Sequence, residues 1–213
     1  MKNMYMIHTC LQRLDYVQGI LIPDLMEQGI ERDRIVIALD DKQDGNLKAF
    51  LKALETLPKT GFTWHLQDDV VISSEFAKAT EKEYSQDIVC GYCCSADHGA
   101  TGEVEARAAW YSFQCIGYSS DIAKGFLAWF KESGREQYAE WVSYNKFDDS
   151  LFHKFISTKE YRAYNIRPNL VEHIDYLLGG STVNEGRKWK SYSMYWPEPE
   201  RVEDVKRRLS NGW

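Results

Sequence analysis

The sequence has no long uninterrupted hydrophobic run and no excess of basic residues. Hydrophobic residues occupy 44% of the 213 positions and charged residues 27%, which is typical of a globular domain. A membrane-spanning helix needs about 20 consecutive apolar residues, and no segment provides them. The net charge of -6 gives no general attraction to nucleic acid or to an anionic membrane. We therefore expect a soluble protein that has no membrane partner.

The sequence also lacks a secretory signal and a cysteine-based metal motif. Lys2 is not followed by an apolar segment and small residues, so we expect a cytoplasmic location. The five cysteines are odd in number, and Cys90, Cys93 and Cys94 lack the spacing of paired zinc ligands. Buried thiols are the preferred interpretation, and a zinc site is the alternative.

Strand-like and helix-like segments alternate along the first part of the sequence. The predicted strands are MYMIHT, RIVIALDD and FTWHLQDDVV, and helical periodicity is found in LDYVQGILIPDLMEQG and NLKAFLKALETL. Pro23 is expected to weaken the first helix and Gly29 to end it. This alternation predicts one α/β domain with a mainly parallel central sheet flanked by helices. Such sheets bind ligands beyond the carboxyl ends of their strands.

The rest of the sequence carries weaker signals. Residues 95–108 are polar and contain glycine, which predicts a loop that is a candidate mobile lid. Helices are predicted in SSEFAKATEKEYS, SDIAKGFLAWFKES, EQYAEWVSYN and DDSLFHKFIS. The final stretch is rich in arginine, lysine, tryptophan and tyrosine. It predicts either a basic, aromatic rim or a solvated amphipathic helix.

Two acids directly follow the third predicted strand. They are Asp68 and Asp69 in HLQDDVVIS, and carboxylates at this position face the ligand crevice of a parallel sheet. Their oxygens are the ligands that Mg²⁺ or Mn²⁺ prefers. A divalent cation there would neutralise a nucleotide-sugar diphosphate and stabilise the departing nucleoside diphosphate. The alternative is a turn or helix-capping pair.

Four segments resemble motifs of glycosyltransferases with the GT-A fold. IHTCLQRLDYV resembles the opening strand and Thr-x-x-x-Arg turn, and IVIALDDKQDGN resembles the second strand with its acid near the nucleoside. HLQDDVVIS resembles the DxD-type metal motif, and PNLVEHID resembles a late Pro-x-Leu-Val-x-His segment. The resemblance implies a single GT-A domain over 1–213. It assigns nucleotide-sugar binding to 1–92, acceptor binding and catalysis to 105–180, and a basic aromatic tail to 181–213.

The resemblance implies nucleotide-binding roles after the first two strands. It places Thr9 and Arg13 beside the nucleotide, where the donor fork of Arg13 suits phosphate oxygens. Asp40 or Asp41 would accept a hydrogen bond from the ribose or base, and Asn46 would contact the nucleotide. The alternatives are a surface arginine, turn-forming acids and a helix cap.

The metal motif departs from the family pattern because Gln67 replaces its first acid. One metal ligand is therefore expected to be lost. Asp69 is then the expected direct ligand of Mn²⁺ or Mg²⁺, Asp68 would hold the sugar or ribose, and His173 would complete the metal site. A hydrogen-bonded core histidine is the alternative for His173.

An inverting sugar transfer needs a base that takes the proton of the acceptor hydroxyl. Asp148 and Asp149 are the candidates, since they begin a predicted helix in NKFDDSLFHKF. The resemblance to GT-A glycosyltransferases implies that the acid acting as the base lies at this position. The alternative is an N-cap with a favourable helix-dipole interaction.

The sequence therefore predicts a metal-dependent glycosyltransferase that uses a nucleotide sugar, most simply a UDP-sugar. Two alternatives stay open: a catalytically silent sugar- or nucleotide-binding protein, and a sugar-phosphate nucleotidyltransferase. The second would need a glycine-rich phosphate loop, which the first turn, HTCLQRLD, lacks.

The small size resembles that of phage and bacterial glycosyltransferases, whose acceptors include modified DNA bases and surface saccharides. We therefore expect a hydroxymethylated DNA base or a glycan as the acceptor, since aromatic side chains and local cations suit both. For a phage-encoded protein the cytoplasm is that of the host.

Overall fold

The computed structural model describes residues 2–42, 45–57, 61–92, 102–105, 113–134, 136, 148–180 and 196–212. The strands in these ranges are β1 (Met4–Cys10), β2 (Ile35–Asp40), β3 (Phe62–Gln67), β4 (Val70–Ile72), β5 (Ile88–Cys90), β6 (Gly102–Glu105), β7 (Cys115–Ser119), β8 (Arg162–Asn165) and β9 (Val171–His173). The α-helices are α1 (Leu14–Tyr16), α2 (Ile22–Glu27), α3 (Asn46–Thr56), α4 (Phe76–Thr80), α5 (Ser120–Trp129), α6 (Asp148–Thr158) and α7 (Pro199–Asn211). Short 3-10 helices occupy Leu11–Arg13, Arg32–Arg34 and Asp175–Leu177, and π-helical turns occupy Val17–Leu21 and Phe130–Gly134.

The strands form a seven-stranded sheet in the order β2-β1-β3-β7-β5-β8-β6 and a separate pair of β4 with β9. β1 is parallel to β2 and β3, and β5 is parallel to β8. β7 is antiparallel to β3 and β5, and β6 is antiparallel to β8. Strands β1, β2, β3, β5 and β8 therefore point one way and β6 and β7 the other. This confirms the predicted α/β fold with a mainly parallel central sheet.

Helices cover both faces of this sheet. Because successive residues of a strand point to opposite faces, each central strand contributes side chains to two cores. Tyr5 and Ile7 of β1 belong to one core, which includes the first helical segment, the β4–β9 pair and α7. Met6 belongs to a second core, which includes α3, α5 and α6. Burial on both faces explains why the central strands read as nearly continuous apolar segments in the sequence.

The first helical segment continues through Pro23 instead of breaking there. Pro23 lies in α2, two residues after the π-helical turn Val17–Leu21. The proline has no N–H to donate to the preceding turn, and a π-helical turn accommodates such a local change in the helical hydrogen bonds. The segment ends before Gly29, whose φ of 89° is a conformation that glycine adopts without strain.

One strand lies in a stretch that the sequence predicts as a loop. β6 occupies 102–105, within the candidate lid 95–108, and it forms one edge of the sheet against β8. It has only four residues, GEVE, which are too few for hydrophobic alternation to identify a strand. The remaining lid residues lie outside the described residues, and so does the helix predicted in EQYAEWVSYN apart from Glu136.

The helix α7 folds back onto the first core. Val202 and Val205 are each 1% exposed, and Arg201 donates through Nε to the carbonyl of Ile72 over 2.7 Å. Arg208 pairs with Asp24 of α2 at 2.7 Å. These two basic residues therefore tie α7 to the rest of the fold, while residues 181–195 of the predicted tail lie outside the described part. No helix in the described ranges combines the length and the apolar character needed to cross a bilayer.

A histidine without a hydrogen-bond partner lies in the second core. His65 of β3 is fully buried and neither ring nitrogen has a partner. Its ring lies 5.1 Å from that of Phe113 and 5.2 Å from that of Phe50, between ring centroids. Burial lowers the pKa of His65 well below its ordinary value. The folded protein therefore keeps this imidazole neutral.

We expect His65→Phe to make the free energy of unfolding less sensitive to acid. The unfolded chain binds a proton at His65 below its ordinary pKa, whereas the folded state does not, so this residue destabilises the wild type as the pH falls. Urea unfolding should show the stability of the variant relative to wild type rising by about 1 kcal/mol for each pH unit below about pH 6. Parallel pH profiles of the two proteins would contradict this account.

Candidate active site

Asp68 and Asp69 form the bend between β3 and β4, at the carboxyl end of β3. Because β1 and β3 are parallel, with His8 opposite Gln67, the residues that end β1 reach the same edge of the sheet. The backbone N–H of Cys10 donates to Oδ2 of Asp68 over 3.2 Å. Asp68 and Asp69 are 8% and 9% exposed. The acid pair is therefore buried at the edge where sheets of this kind bind ligands.

Arg13 bridges the two acids. The 3-10 turn after β1 brings its side chain over the sheet edge, where it is 3% exposed. Nη1 lies 3.0 Å from Oδ1 of Asp68 and 2.6 Å from Oδ2 of Asp69. Nη2 donates to the carbonyl of Gly180 over 2.7 Å. One guanidinium therefore balances both carboxylates and also holds the chain after β9.

His173 reaches Asp69 because β4 pairs with β9. The antiparallel register sets Val70 opposite His173, and the N–H of Ile174 donates to the carbonyl of Asp69 over 2.8 Å. Nε2 of His173 then lies 3.1 Å from Oδ2 of Asp69. Asp69 and His173, predicted to act together, are therefore neighbours, and Arg13 shares the same carboxylate oxygen.

The charges of this cluster shift one another's pKa. Burial and the carboxylate of Asp69 raise the pKa of Asp68. Burial acts in the same direction on Asp69, but His173 and Arg13 outweigh it and hold the pKa of Asp69 below its usual range. Burial lowers the pKa of His173, but Asp69 outweighs it and raises the pKa overall. The cluster is therefore built around an ionised Asp69 with cationic neighbours.

Several buried polar atoms of the cluster have no hydrogen-bond partner. They are Nε of Arg13, Oδ1 of Asp69 and both carboxylate oxygens of Asp175. Such groups cost about 1–3 kcal/mol each when unsatisfied, so they are candidates for ligand contacts. Asp175 is 1% exposed and helps to raise the pKa of His173. Sequence reasoning missed Asp175, although its position two residues after His173 in VEHID could have revealed it.

Thr9 and Asp40 lie at the same sheet edge as the acid pair. Thr9 is 3% exposed, and its hydroxyl donates to the carbonyl of Cys10 over 3.3 Å. Asp40 ends β2 opposite Cys10 of β1. Its Oδ2 accepts from the N–H of Gly45 over 3.2 Å. Their nucleotide-binding roles stay predictions.

Asp41 and Asn46 lie farther along the turn between β2 and α3. Asp41 is exposed, and its carboxylate lies 3.8 Å from Nζ of Lys52. Asn46 is the first residue of α3, after Gly45 at the N-cap position. Asn46 is therefore inside the helix and is not its cap.

Asp149 lies in the first turn of α6. One turn on, the ring of Phe152 lies 5.3 Å from that of Phe113, so α6 packs on the second core. Among the described residues, no hydrogen bond or ion pair joins Asp149 to Asp68, Asp69 or His173. Oδ1 of Asp149 accepts from the N–H of Ser150 over 2.6 Å, and burial raises the pKa of Asp149. The side chain of Asp148 lies outside the described part.

The described donor groups do not fit a divalent cation at the acid pair. Oδ2 of Asp69 already contacts both Arg13 and His173. The amide oxygen of Gln67, at the position of the family's first acid, accepts from Gln114 over 3.0 Å. No three His, Cys, Asp or Glu side chains converge as metal ligands within the described ranges. The metal-binding roles of Asp69 and His173 therefore stay predictions.

Among solved structures, the fold is similar to that of the inositol-1-phosphate CTP transferase from T. maritima. The likeness has a TM-score of 0.52 at 10% sequence identity, and it covers 100% of this chain and 97% of that one. At this identity it concerns the fold alone. No family model matches the sequence, and no curated protein matches it.

We expect Arg13→Gln to lower the free energy of unfolding by about 3 kcal/mol at neutral pH, because it leaves two buried carboxylates without their shared cation. Mild acid should restore part of this loss, because it protonates one of the two carboxylates. The double variant Arg13→Gln with Asp68→Asn should also regain part of it, because it has one buried carboxylate fewer. Urea unfolding of the single and double variants measures both effects.

Arg208→Gln is the matched control. It also removes one side of an arginine–aspartate pair, but it leaves one buried carboxylate instead of two, and Arg208 is 29% exposed, so we expect a smaller loss of about 1–2 kcal/mol. Equal losses in the two variants would show that Arg13 has no special role in holding the acid pair.

Proposed function

We propose that this protein is a glycosyltransferase that moves a sugar from a nucleotide-sugar donor to an acceptor hydroxyl. The observation that carries the proposal is the cluster of Arg13, Asp68, Asp69 and His173 at the carboxyl-end edge of the sheet. Cationic groups at this edge suit a diphosphate, and carboxylates suit sugar and ribose hydroxyls. Asp175 adds a further buried carboxylate. A UDP-sugar is the proposed donor.

In the proposed reaction the acceptor oxygen attacks the anomeric carbon of the sugar. The bond from that carbon to the β-phosphate oxygen breaks, and its electron pair leaves with the nucleoside diphosphate. The acceptor's proton passes to Asp149 or Asp148, on the face opposite the leaving group, so the configuration inverts. The raised pKa of Asp149 makes it a stronger base for this step. The sequence predicts assistance by Mn²⁺ or Mg²⁺, and the transfer step is balanced without it.

Nucleotidyl transfer is the second candidate, because the fold is similar to that of an inositol-1-phosphate CTP transferase. In that reaction a sugar phosphate attacks the α-phosphate of a nucleoside triphosphate and releases pyrophosphate. The turn after β1 argues against it, since residues 8–15 contain no glycine to bring backbone N–H groups close to a triphosphate. The products separate the two reactions: pyrophosphate in one and a nucleoside diphosphate in the other.

A silent binding protein is the third possibility and would use the same cluster without transfer. It predicts donor binding with no turnover in any acceptor panel. The raised pKa of Asp149 favours an enzyme over a binding protein, because shifted pKa values are common at catalytic sites.

We expect the wild-type protein to hydrolyse its correct nucleotide sugar slowly, with water in place of the acceptor, and to release the nucleoside diphosphate. Asp69→Ala should abolish this activity, because it removes the ion that holds both Arg13 and His173. Chromatography of a panel of nucleotide sugars measures it, with Asp121→Ala on the exposed start of α5 as the control. Hydrolysis that persists in Asp69→Ala would show that the active site does not include this cluster. Release of pyrophosphate from a nucleoside triphosphate would favour nucleotidyl transfer.

We also expect transfer of labelled sugar to hydroxymethylated DNA, and its loss in Asp149→Asn or Asp148→Asn with donor binding retained. Loss of a base at the anomeric carbon costs about 100-fold or more in rate. Gel autoradiography measures transfer, and calorimetry measures donor binding, again with Asp121→Ala as the control. Transfer only to glycans would exclude DNA as the acceptor, and full activity in both variants would exclude the two acids as the base.

A further inference from the structure

Resting on the proposed function, we infer that Arg13 takes the place of a divalent metal in this site. Arg13 would contact the donor's diphosphate through its free Nε–H, while Oδ1 of Asp69 accepts a hydrogen bond from the donor's sugar. The site would then bind its nucleotide sugar equally well without any metal ion. This differs from the metal-dependent site that the sequence predicts.

The first ground is that the position of a cation between the acids is already filled. Nη1 of Arg13 lies 3.0 Å from Asp68 and 2.6 Å from Asp69, and the side chain is almost fully buried. A divalent ion in contact with the same oxygens would lie next to the guanidinium, and like charges repel strongly in a buried site. Displacing Arg13 would also break its hydrogen bond to the carbonyl of Gly180.

The second ground is that His173 does not offer a free nitrogen toward Asp69. Its Nε2 lies 3.1 Å from Oδ2 of Asp69, a hydrogen-bond distance that requires a proton on that nitrogen. A metal ligand must present a lone pair at the same atom. Oδ2 of Asp69 therefore accepts from both His173 and Arg13, which leaves this oxygen engaged.

The third ground is the pair of buried atoms that are left without partners. Nε of Arg13 is a hydrogen-bond donor, and Oδ1 of Asp69 is an acceptor. The neighbouring atoms Nη1 of Arg13 and Oδ2 of Asp69 already contact each other over 2.6 Å. A ligand that satisfies both must carry an anionic acceptor beside a hydroxyl donor. A sugar joined to a phosphate has this combination, because its ring hydroxyls lie close to the phosphate oxygens.

The test measures donor binding to the wild-type protein in EDTA and in Mn²⁺ or Mg²⁺. The probes are the diphosphates of uridine, guanosine, cytidine and thymidine, together with their glucose esters. Titration calorimetry measures the affinity of each probe, and the melting temperature of the protein gives a second measure of binding. We expect the bound nucleotide sugar to show affinities that agree within about twofold with and without metal. Binding that requires the metal would overturn the inference and leave the proposed function standing. No binding of any probe under either condition would overturn both.

A pair of arginine variants tests the role of the Nε–H group. Arg13→Lys keeps the charge but loses the planar fork, so donor binding should weaken about tenfold or more, with or without metal. Arg34→Lys is the matched control, because Arg34 is also buried and bonded to a carbonyl, that of Asn3, and to a carboxylate, that of Glu81. It lies at the opposite edge of the sheet, where β2 begins, and should bind the donor as wild type does.

Equal binding by Arg13→Lys and wild type would overturn the role of Arg13. The comparison with and without metal uses only the wild-type protein, so it decides the inference even if Arg13→Lys does not fold.

Discussion

Two carboxylates lie side by side in the protein with little access to water, and the guanidinium of Arg13 balances both of them. Burial alone disfavours ionised acids, so Asp68 and Asp69 depend on this cation and on His173 for Asp69. The rest of the site is arranged around this balance. Asp69 keeps its charge, and Asp68 holds its proton more readily than a free aspartate does. Of the buried atoms without a partner, Nε of Arg13 is a hydrogen-bond donor and Oδ1 of Asp69 is an acceptor.

The fold supplies the positions that this balance requires. Parallel pairing of β1 with β3 brings the end of the first strand to the acids, and antiparallel pairing of β4 with β9 brings the histidine. Neither pairing alone produces the cluster. The first contributes Arg13 and the N–H of Cys10, and the second contributes His173 and the N–H of Ile174. The central sheet therefore holds one half of the site, and the small two-stranded sheet holds the other half.

The sequence predicted the parts of this structure that depend on local pattern. Alternating apolar strands and amphipathic helices identified the α/β fold, and acids at the end of a strand identified the edge on which Asp68 and Asp69 lie. The hydrogen-bond and ion-pair partners of each side chain depend on pairing between strands that are distant in the sequence, and the sequence pattern does not reveal them. Arg13 was expected to face phosphate, but not to bridge both acids. β6 escaped detection because its four residues are too few to show a clear alternation, and Asp175 escaped because the sequence does not show that this acid is buried.

Arg13 and Gly180, which share a hydrogen bond in the cluster, lie 167 positions apart in the chain. Proteins begin to fold from the amino terminus while they are still being synthesised. Strands β1, β2 and β3 can associate early on the ribosome, but the acids they carry have no histidine and no closing carbonyl until β9 has emerged. A chain interrupted before that point would hold both acids and Arg13 but would have neither the side chain of His173 nor the carbonyl of Gly180, so the cluster is completed only late in synthesis.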